Sequence, residues 1–483
     1  MDFTDYRRQD ALGLAALVAA GDVTPAELLA VALDRLAVVQ PRLRPLSLDE
    51  TAFAEATLAA GLPQGPFTGV PFLLKDLFAF LPGTRLTNGS RLFGTLDCSF
   101  ESTLIARYRR AGLVVFGKTA SPELGVNVTT EPLVHGPVRN PWDPTRSAGG
   151  SSGGAAVAVA AGVVPAAHAS DGGGSIRIPA SACGLVGLKP SRARNPAGPM
   201  VGEAWNGLAG GHVISRTVRD TAAFLDATAG PEPGDPYACP PVTGSFLAAA
   251  TRDPGTLRIG LVTEAPAGIP VDPACSAAAE RAALALQALG HVVEPLALGL
   301  DGERLMRHQL TIVAANLAND LDGWQRVLGR AADATTLEAC TLALAERGRA
   351  IPAPELAAAI GGVHQLARRF GRHFANVDLI LSPTLAMPTP PIGLFDQNMA
   401  DLDRFLALNA ALIPFTPLYN MTGCPAISLP LDADADGLPV GVMLGAALGR
   451  EDLLIAVAGQ LERAHPWFDR VPPDAAWLGV SAA

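Results

Sequence analysis

Short apolar runs alternate with helical patterns along almost the whole of this 483-residue chain, and that alternation restricts the fold more than any other feature. Residues 70–74, 113–116, 163–169, 257–262, 292–296, 379–382 and 426–429 are too short and too apolar for surface helices and read as buried strands. Between them lie helical patterns over 24–40, 103–111, 155–161, 274–289, most of 303–376, and 451–464. Thr24-Pro25-Ala26-Glu27 writes a capping box with proline in the first turn, and Pro41 is expected to end that helix. Strands and helices in alternation predict an α/β sandwich around a mixed sheet.

Composition narrows the function classes. The chain is 49% hydrophobic and 17% charged, enough for a sizeable core in one large domain or two smaller ones. A net charge of −10, with no run of Lys or Arg, argues against nucleic acid. The six cysteines form no Cys-x-x-Cys pair and read as free thiols in a reducing compartment, hence the cytoplasm. The histidines form no His-Glu-x-x-His motif, and nothing asks for a metal or another cofactor. Arg7 and Arg8 ahead of apolar residues 11–20 imitate a signal peptide. Asp10 interrupts that pattern, and Leu12, Leu14, Leu17 and Val18 share a helix face, which favours a helix of the fold. No apolar run reaches the roughly 20 residues that span a bilayer.

Two motifs mislead. Gly112-Leu-Val-Val-Phe-Gly-Lys-Thr119 matches a phosphate loop letter for letter, but its middle residues are themselves a strand and Pro122 follows closely. Gly149-Gly-Ser-Ser-Gly153 matches a serine-hydrolase elbow, yet proline-broken residues 139–146 stand where the elbow needs a strand.

The chemistry-bearing segments are three. Residues 170–179 (Ser-Asp-Gly-Gly-Gly-Ser-Ile-Arg-Ile-Pro) deliver Ser175 after a glycine run whose bare backbone N–H groups suit a developing oxyanion. Residues 149–154 (Gly-Gly-Ser-Ser-Gly-Gly) and Lys75, after the apolar run 70–74, lie upstream. Taken singly, these read as a turn, a linker and a solvated lysine. Together they hold the parts of acyl transfer. A serine hydroxyl needs an adjacent base, and a buried lysine kept neutral can serve. His168, on a strand, reads as core.

In combination with residues 183–190 (Cys-Gly-Leu-Val-Gly-Leu-Lys-Pro), these segments resemble the amidase signature family. Residues 69–76, 117–125, 139–143, 379–384, 415–430 and 437–444 are similar to family blocks in the same order. The resemblance implies the family fold, a central mixed sheet flanked by helices on both faces. It implies a single domain over 1–483, with a signature core at about 67–220 and a variable, mostly helical substrate-side region at about 240–376.

The same resemblance makes Lys75 the base, Ser151 the proton relay after a cis peptide, and Ser175 the nucleophile. The backbone of Gly172, Gly173, Gly174 and Ser175 becomes the oxyanion hole, supported by Ser152, Asp171 and Arg177. Asn127 is placed on the acyl side of the pocket and Asn316 on the leaving-group side. Residues 121–127, 139–143 and 187–192 look most like the branch of 6-aminohexanoate cyclic dimer hydrolases and aryl or alkyl amidases. Gly172 and Met443 depart from the pattern of the glutamyl-tRNA amidotransferase A subunit, which typically carries threonine and glutamine there. The expected partner is a small linear or cyclic amide, without nucleic acid or membrane, and a homodimer is left open. The alternatives are a glutamine-hydrolysing amidotransferase subunit and a non-catalytic binding module on the same scaffold.

Overall fold

The computed structural model describes residues 1–474, so the last nine residues of the expected domain lie outside the described part. Among the described residues eleven strands form one sheet in the order Leu46–Asp49, Val114–Thr119, Pro71–Lys75, Ala166–Asp171, Gly210–Ser215, Val186–Lys189, Ala426–Ala433, Pro439–Ala446, Leu379–Pro383, Arg258–Leu261 and Val292–Pro295. Pairing is parallel from Val114–Thr119 through Pro71–Lys75 to Ala166–Asp171, and again from Leu379–Pro383 to Val292–Pro295. The strands between these groups run antiparallel. The sheet is therefore mixed, as expected.

Helices cover both faces, and alternate residues divide between two cores. Val440, Val442, Leu444 and Ala446 pack with helices Pro273–Ala288 and Glu451–Ala464, whereas Met443 packs with Ala353–Gly371 and Thr416–Thr422. Leu379 and Leu381 part from Ile380 in the same way, and Ile427 and Leu429 from Ala426. Burial on both faces is why these strands read as continuous apolar runs in the sequence.

Local signals hold with adjustments. Thr24 caps helix Pro25–Leu43 reciprocally with Glu27, but the helix passes through Pro41. Its end is set two residues later, where Leu43 is buried and Arg44 adopts a left-handed cap at φ 55°. Residues 11–20 form a helix capped by Asp10, with Leu14 buried and Leu12, Leu17 and Val18 packed against the core. The phosphate-loop imitation lies largely within strand Val114–Thr119, whose Lys118 is fully buried and donates to the Ala79 carbonyl at 2.8 Å. The helical stretch 303–376 separates into Gly302–Leu328, Ala339–Arg349 and Ala353–Gly371. Among the described residues no helix is long and apolar enough to cross a membrane.

Candidate active site

Lys75 ends strand Pro71–Lys75 and Asp171 ends Ala166–Asp171. The two strands are parallel, with Leu73 beside Ala167, so both deliver their last residues to the same edge of the sheet. Lys75 is fully buried there. Its Nζ donates to Ser151 Oγ at 2.7 Å and to Ser170 Oγ at 3.0 Å. Burial lowers the Lys75 pKa to about 7, although the Asp171 charge opposes the shift. Asp76 turns away: it accepts from the Thr87 and Asn88 backbone N–H groups and from the Thr87 hydroxyl.

Ser151 is held by a loop with no room for side chains. The Gly150–Ser151 peptide is cis, and a Cβ on Gly150 would run into the Thr129 backbone. Thr130 ties the loop at both ends, donating to the Gly149 carbonyl at 2.9 Å and accepting from the Gly153 N–H at 3.1 Å. Ser152 Oγ donates to the Ser170 carbonyl at 3.2 Å, linking this loop to the strand behind Lys75.

The glycine loop is organised by Asp171. Its carboxylate accepts from the Gly174 N–H at 2.7 Å and the Ile176 N–H at 3.1 Å, and from the Arg177 guanidinium twice at 2.9 Å. Burial alone would raise the Asp171 pKa, but the Arg177 charge and these bonds hold it down at about 2. The Gly174 N–H is therefore occupied. That corrects the four-donor expectation: the N–H groups of Gly172, Gly173 and Ser175 are the ones without a protein partner among the described residues.

Sequence reading missed three contributors here. Thr416 Oγ1 donates to the Gly173 carbonyl at 2.7 Å, and Asn420 Nδ2 donates to Asp171 Oδ1 at 2.8 Å. Arg177 closes the network by donating to Asn420 Oδ1 at 2.7 Å and the Thr416 carbonyl at 2.8 Å. Ser170 is the third, through its bond to Lys75. The only sequence signals were that Ser170 precedes Asp171 and that Thr416 and Asn420 fall in block 415–430.

His168 is core, as read. Its Nδ1 accepts from the Lys75 backbone N–H at 3.2 Å, and burial, with the Lys75 charge, lowers its pKa to about 3. With so low a proton affinity it is a far weaker base than Lys75.

Ser175 is partly exposed and makes no hydrogen bond among the described residues. It borders a cavity of about 460 Å³ whose walls include Val126, Val128, Leu310, Leu418 and Met421. Asn127 lines this cavity, although its amide is engaged by the Phe395 carbonyl at 2.8 Å. Asn316 does not line it; its Nδ2 donates to Asn206 Oδ1 at 2.7 Å. Arg307 is the only charged residue among the described lining residues.

A second buried lysine shares the behaviour of the first. Burial, with the Arg177 charge, lowers the Lys189 pKa to about 7. Unfolded lysines keep their protons to about 10.4, so above pH 7 the unfolded state binds more protons and stability rises with pH. Two sets of groups oppose this. The Glu338 and Glu462 carboxyls, raised by burial to about 7, with Asp220 also raised, act from the acid side. Buried thiols such as Cys183 and Cys275, whose pKa values burial raises, act once free thiols begin to ionise near 9.0. The thermal midpoint should therefore climb between pH 7 and about 8.5. A flat or falling midpoint in a buffer-matched series would contradict the neutral-lysine assignment.

Over nearly its whole length the chain is similar to known amide hydrolases. The sequence model of the Amidase family matches residues 27–455. A 6-aminohexanoate-cyclic-dimer hydrolase from Pseudomonas sp. (strain NK87) is 39% identical over 480 residues, 96% of each chain. The structure of a 6-aminohexanoate cyclic dimer hydrolase with its substrate superimposes at TM-score 0.91 and 37% identity, covering 97% of this chain and 99% of that one. A bacterial aryl acylamidase of the amidase signature family superimposes at TM-score 0.86 and 26% identity, covering 98% and 99%. With most of its length matched by the family model, this chain belongs to the amidase signature family of amide hydrolases.

Proposed function

We propose that the chain cleaves the C–N bond of a small, mainly apolar carboxamide through a seryl acyl-enzyme, within one domain. The observation that carries the mechanism is the 2.7 Å contact between Lys75 Nζ and Ser151 Oγ, buried behind a cavity that Ser175 borders. Neutral Lys75 takes a proton from Ser151 as Ser151 takes one from Ser175, and Ser175 Oγ attacks the carbonyl carbon. The N–H groups of Gly172, Gly173 and Ser175 receive the oxyanion. Ser151 then protonates the departing amine, and water hydrolyses the ester. Ser152, Asp171 and Arg177 keep the two loops in place.

The cavity supports the substrate class. Its apolar walls suit the polymethylene or aryl groups of small linear or cyclic oligoamides and aryl amides; among the relatives are, by name, a 6-aminohexanoate-cyclic-dimer hydrolase and an aryl acylamidase. Free glutamine, the amidotransferase substrate, brings an ammonium and a carboxylate, and no acidic residue is among the described lining residues to meet the first. The intact Lys75, Ser151 and Ser175 weigh against a mere binding module. The six free cysteines fit a cytoplasmic enzyme. The test is hydrolysis by the purified chain of a panel holding 6-aminohexanoate cyclic and linear dimers, 4-nitroanilides of short acids, and glutamine. We expect turnover of at least one oligoamide or anilide at a kcat/KM about 100-fold above that of glutamine. Glutamine as the best substrate, or no turnover of any amide, would overturn the reading.

A further inference from the structure

Trp205 stands in an unusual backbone setting. It and Asn206 occupy the tip of a tight turn closed by the Gly207 N–H on the Ala204 carbonyl at 3.1 Å, and both residues have φ of 51°. A turn with two successive left-handed residues is ordinarily Asn-Gly, and a bulky indole at its first tip position is held against its own preference. Such outliers persist where surroundings over-determine them. Here they do. Asn316, from helix Gly302–Leu328, donates to Asn206 Oδ1 at 2.7 Å, and Arg192 Nε donates to the Gly207 carbonyl at 2.7 Å. The same Arg192 grips the Met421 carbonyl at 2.9 Å, so the turn is tied to the helix that anchors the oxyanion loop.

The indole lines the cavity and lies against the first glycine of that loop. A Cβ on Gly172 would come within 2.8 Å of Trp205 Cζ3 and 2.9 Å of Cε3. Gly172 is thus required by packing, since its φ is not in the left-handed region. We propose that Trp205 is a positioning and specificity-determining residue. Its ring clamps Gly172 so that the free N–H groups keep their shape, and it forms the wall beside the carbon attached to the scissile carbonyl. The chain would then favour acyl groups unbranched at that carbon. This inference rests on the acyl-transfer reading above.

Two readouts test it: the rate of fluorophosphonate labelling at Ser175, and kcat and KM for 4-nitrobutyranilide and its α-branched analogue 4-nitro-2-methylbutyranilide. Gly172→Ala should slow labelling about 100-fold by displacing the loop. Trp205→Ala added to Gly172→Ala should recover at least about ten-fold of that loss, because the new methyl then has room. Trp205→Ala alone should raise the branched-to-unbranched kcat/KM ratio about ten-fold, and Trp205→Phe should not. If Gly172→Ala does not fold, as its thermal midpoint will show, the Trp205→Ala and Trp205→Phe ratios decide alone. Multiplying losses in the double variant, or an unchanged ratio in Trp205→Ala, would overturn the proposal. Wild-type protein that neither labels nor cleaves would remove the acyl-transfer reading itself.

Discussion

Ser175→Ala is expected to remove amide turnover almost completely, on the order of 10⁶-fold, which is the scale on which losing a serine nucleophile acts. The loss should come without unfolding. Ser175 makes no hydrogen bond among the described residues, and its loop is fastened through Asp171, Arg177, Thr416 and Asn420. The thermal midpoint should therefore stay near wild type, as for substitutions away from packed or bonded positions. Covalent labelling should vanish together with turnover. Ser151→Ala should also be severely impaired, but it leaves a hydroxyl in the cavity that a fluorophosphonate can still reach slowly. Robust labelling of Ser175→Ala at Ser151 or Ser152 would transfer the nucleophile to that residue.

What sequence could reveal divides along a physical line. The Thr24–Glu27 capping box and the amphipathic helix Glu451–Ala464 depend on neighbours three or four residues apart, and both stand where the pattern puts them. The central strands were visible because burial on both faces leaves an unbroken apolar run. Strand Gly210–Ser215, reading Gly-Gly-His-Val-Ile-Ser, has no such run and went unread. Val186–Lys189 also escaped notice, because half of it is glycine and lysine. Lys75, Ser151 and Ser175 could be singled out only through family resemblance, because no spacing rule joins Lys75 to a serine 76 residues away that it meets only in the fold. Thr416 and Asn420 escaped because their roles exist only in three dimensions: a short helix more than 240 residues away reaches back to the oxyanion loop. Gly174 illustrates the converse error. The sequence gives its N–H the same standing as those of its neighbours, and only the fold turns it onto the Asp171 carboxylate.

Activity should rise with pH through about 7 and level off on the alkaline side, and that limb should belong to Lys75. Its pKa is about 7 because burial disfavours the ammonium, with the Asp171 charge moderating the shift. Only the neutral amine can accept the Ser151 proton, so the active fraction grows as pH climbs past the pKa. The groups that touch Lys75 cannot produce this limb, and Lys189, whose pKa is also about 7, is told apart from it by the Lys75→Ala profile. His168 stays neutral because its pKa is about 3, and Asp171 stays charged because its pKa is about 2. Ser151 and Ser170, the hydroxyl partners of Lys75, do not titrate in this range. Lys75→Ala should cost about 10⁴-fold in kcat/KM and remove the levelling-off limb centred near pH 7, since water or, at high pH, hydroxide must then take the proton. Lys75→Arg should do no better, because a guanidinium keeps its charge at every accessible pH and would be forced into a fully buried site. The decisive measurement is kcat/KM from pH 5.5 to about 9.5 for the wild type and both variants, using an anilide whose product absorbance is constant over that range. Near-wild-type turnover by Lys75→Arg at pH 7, or an unchanged limb in Lys75→Ala, would show that another group is the base.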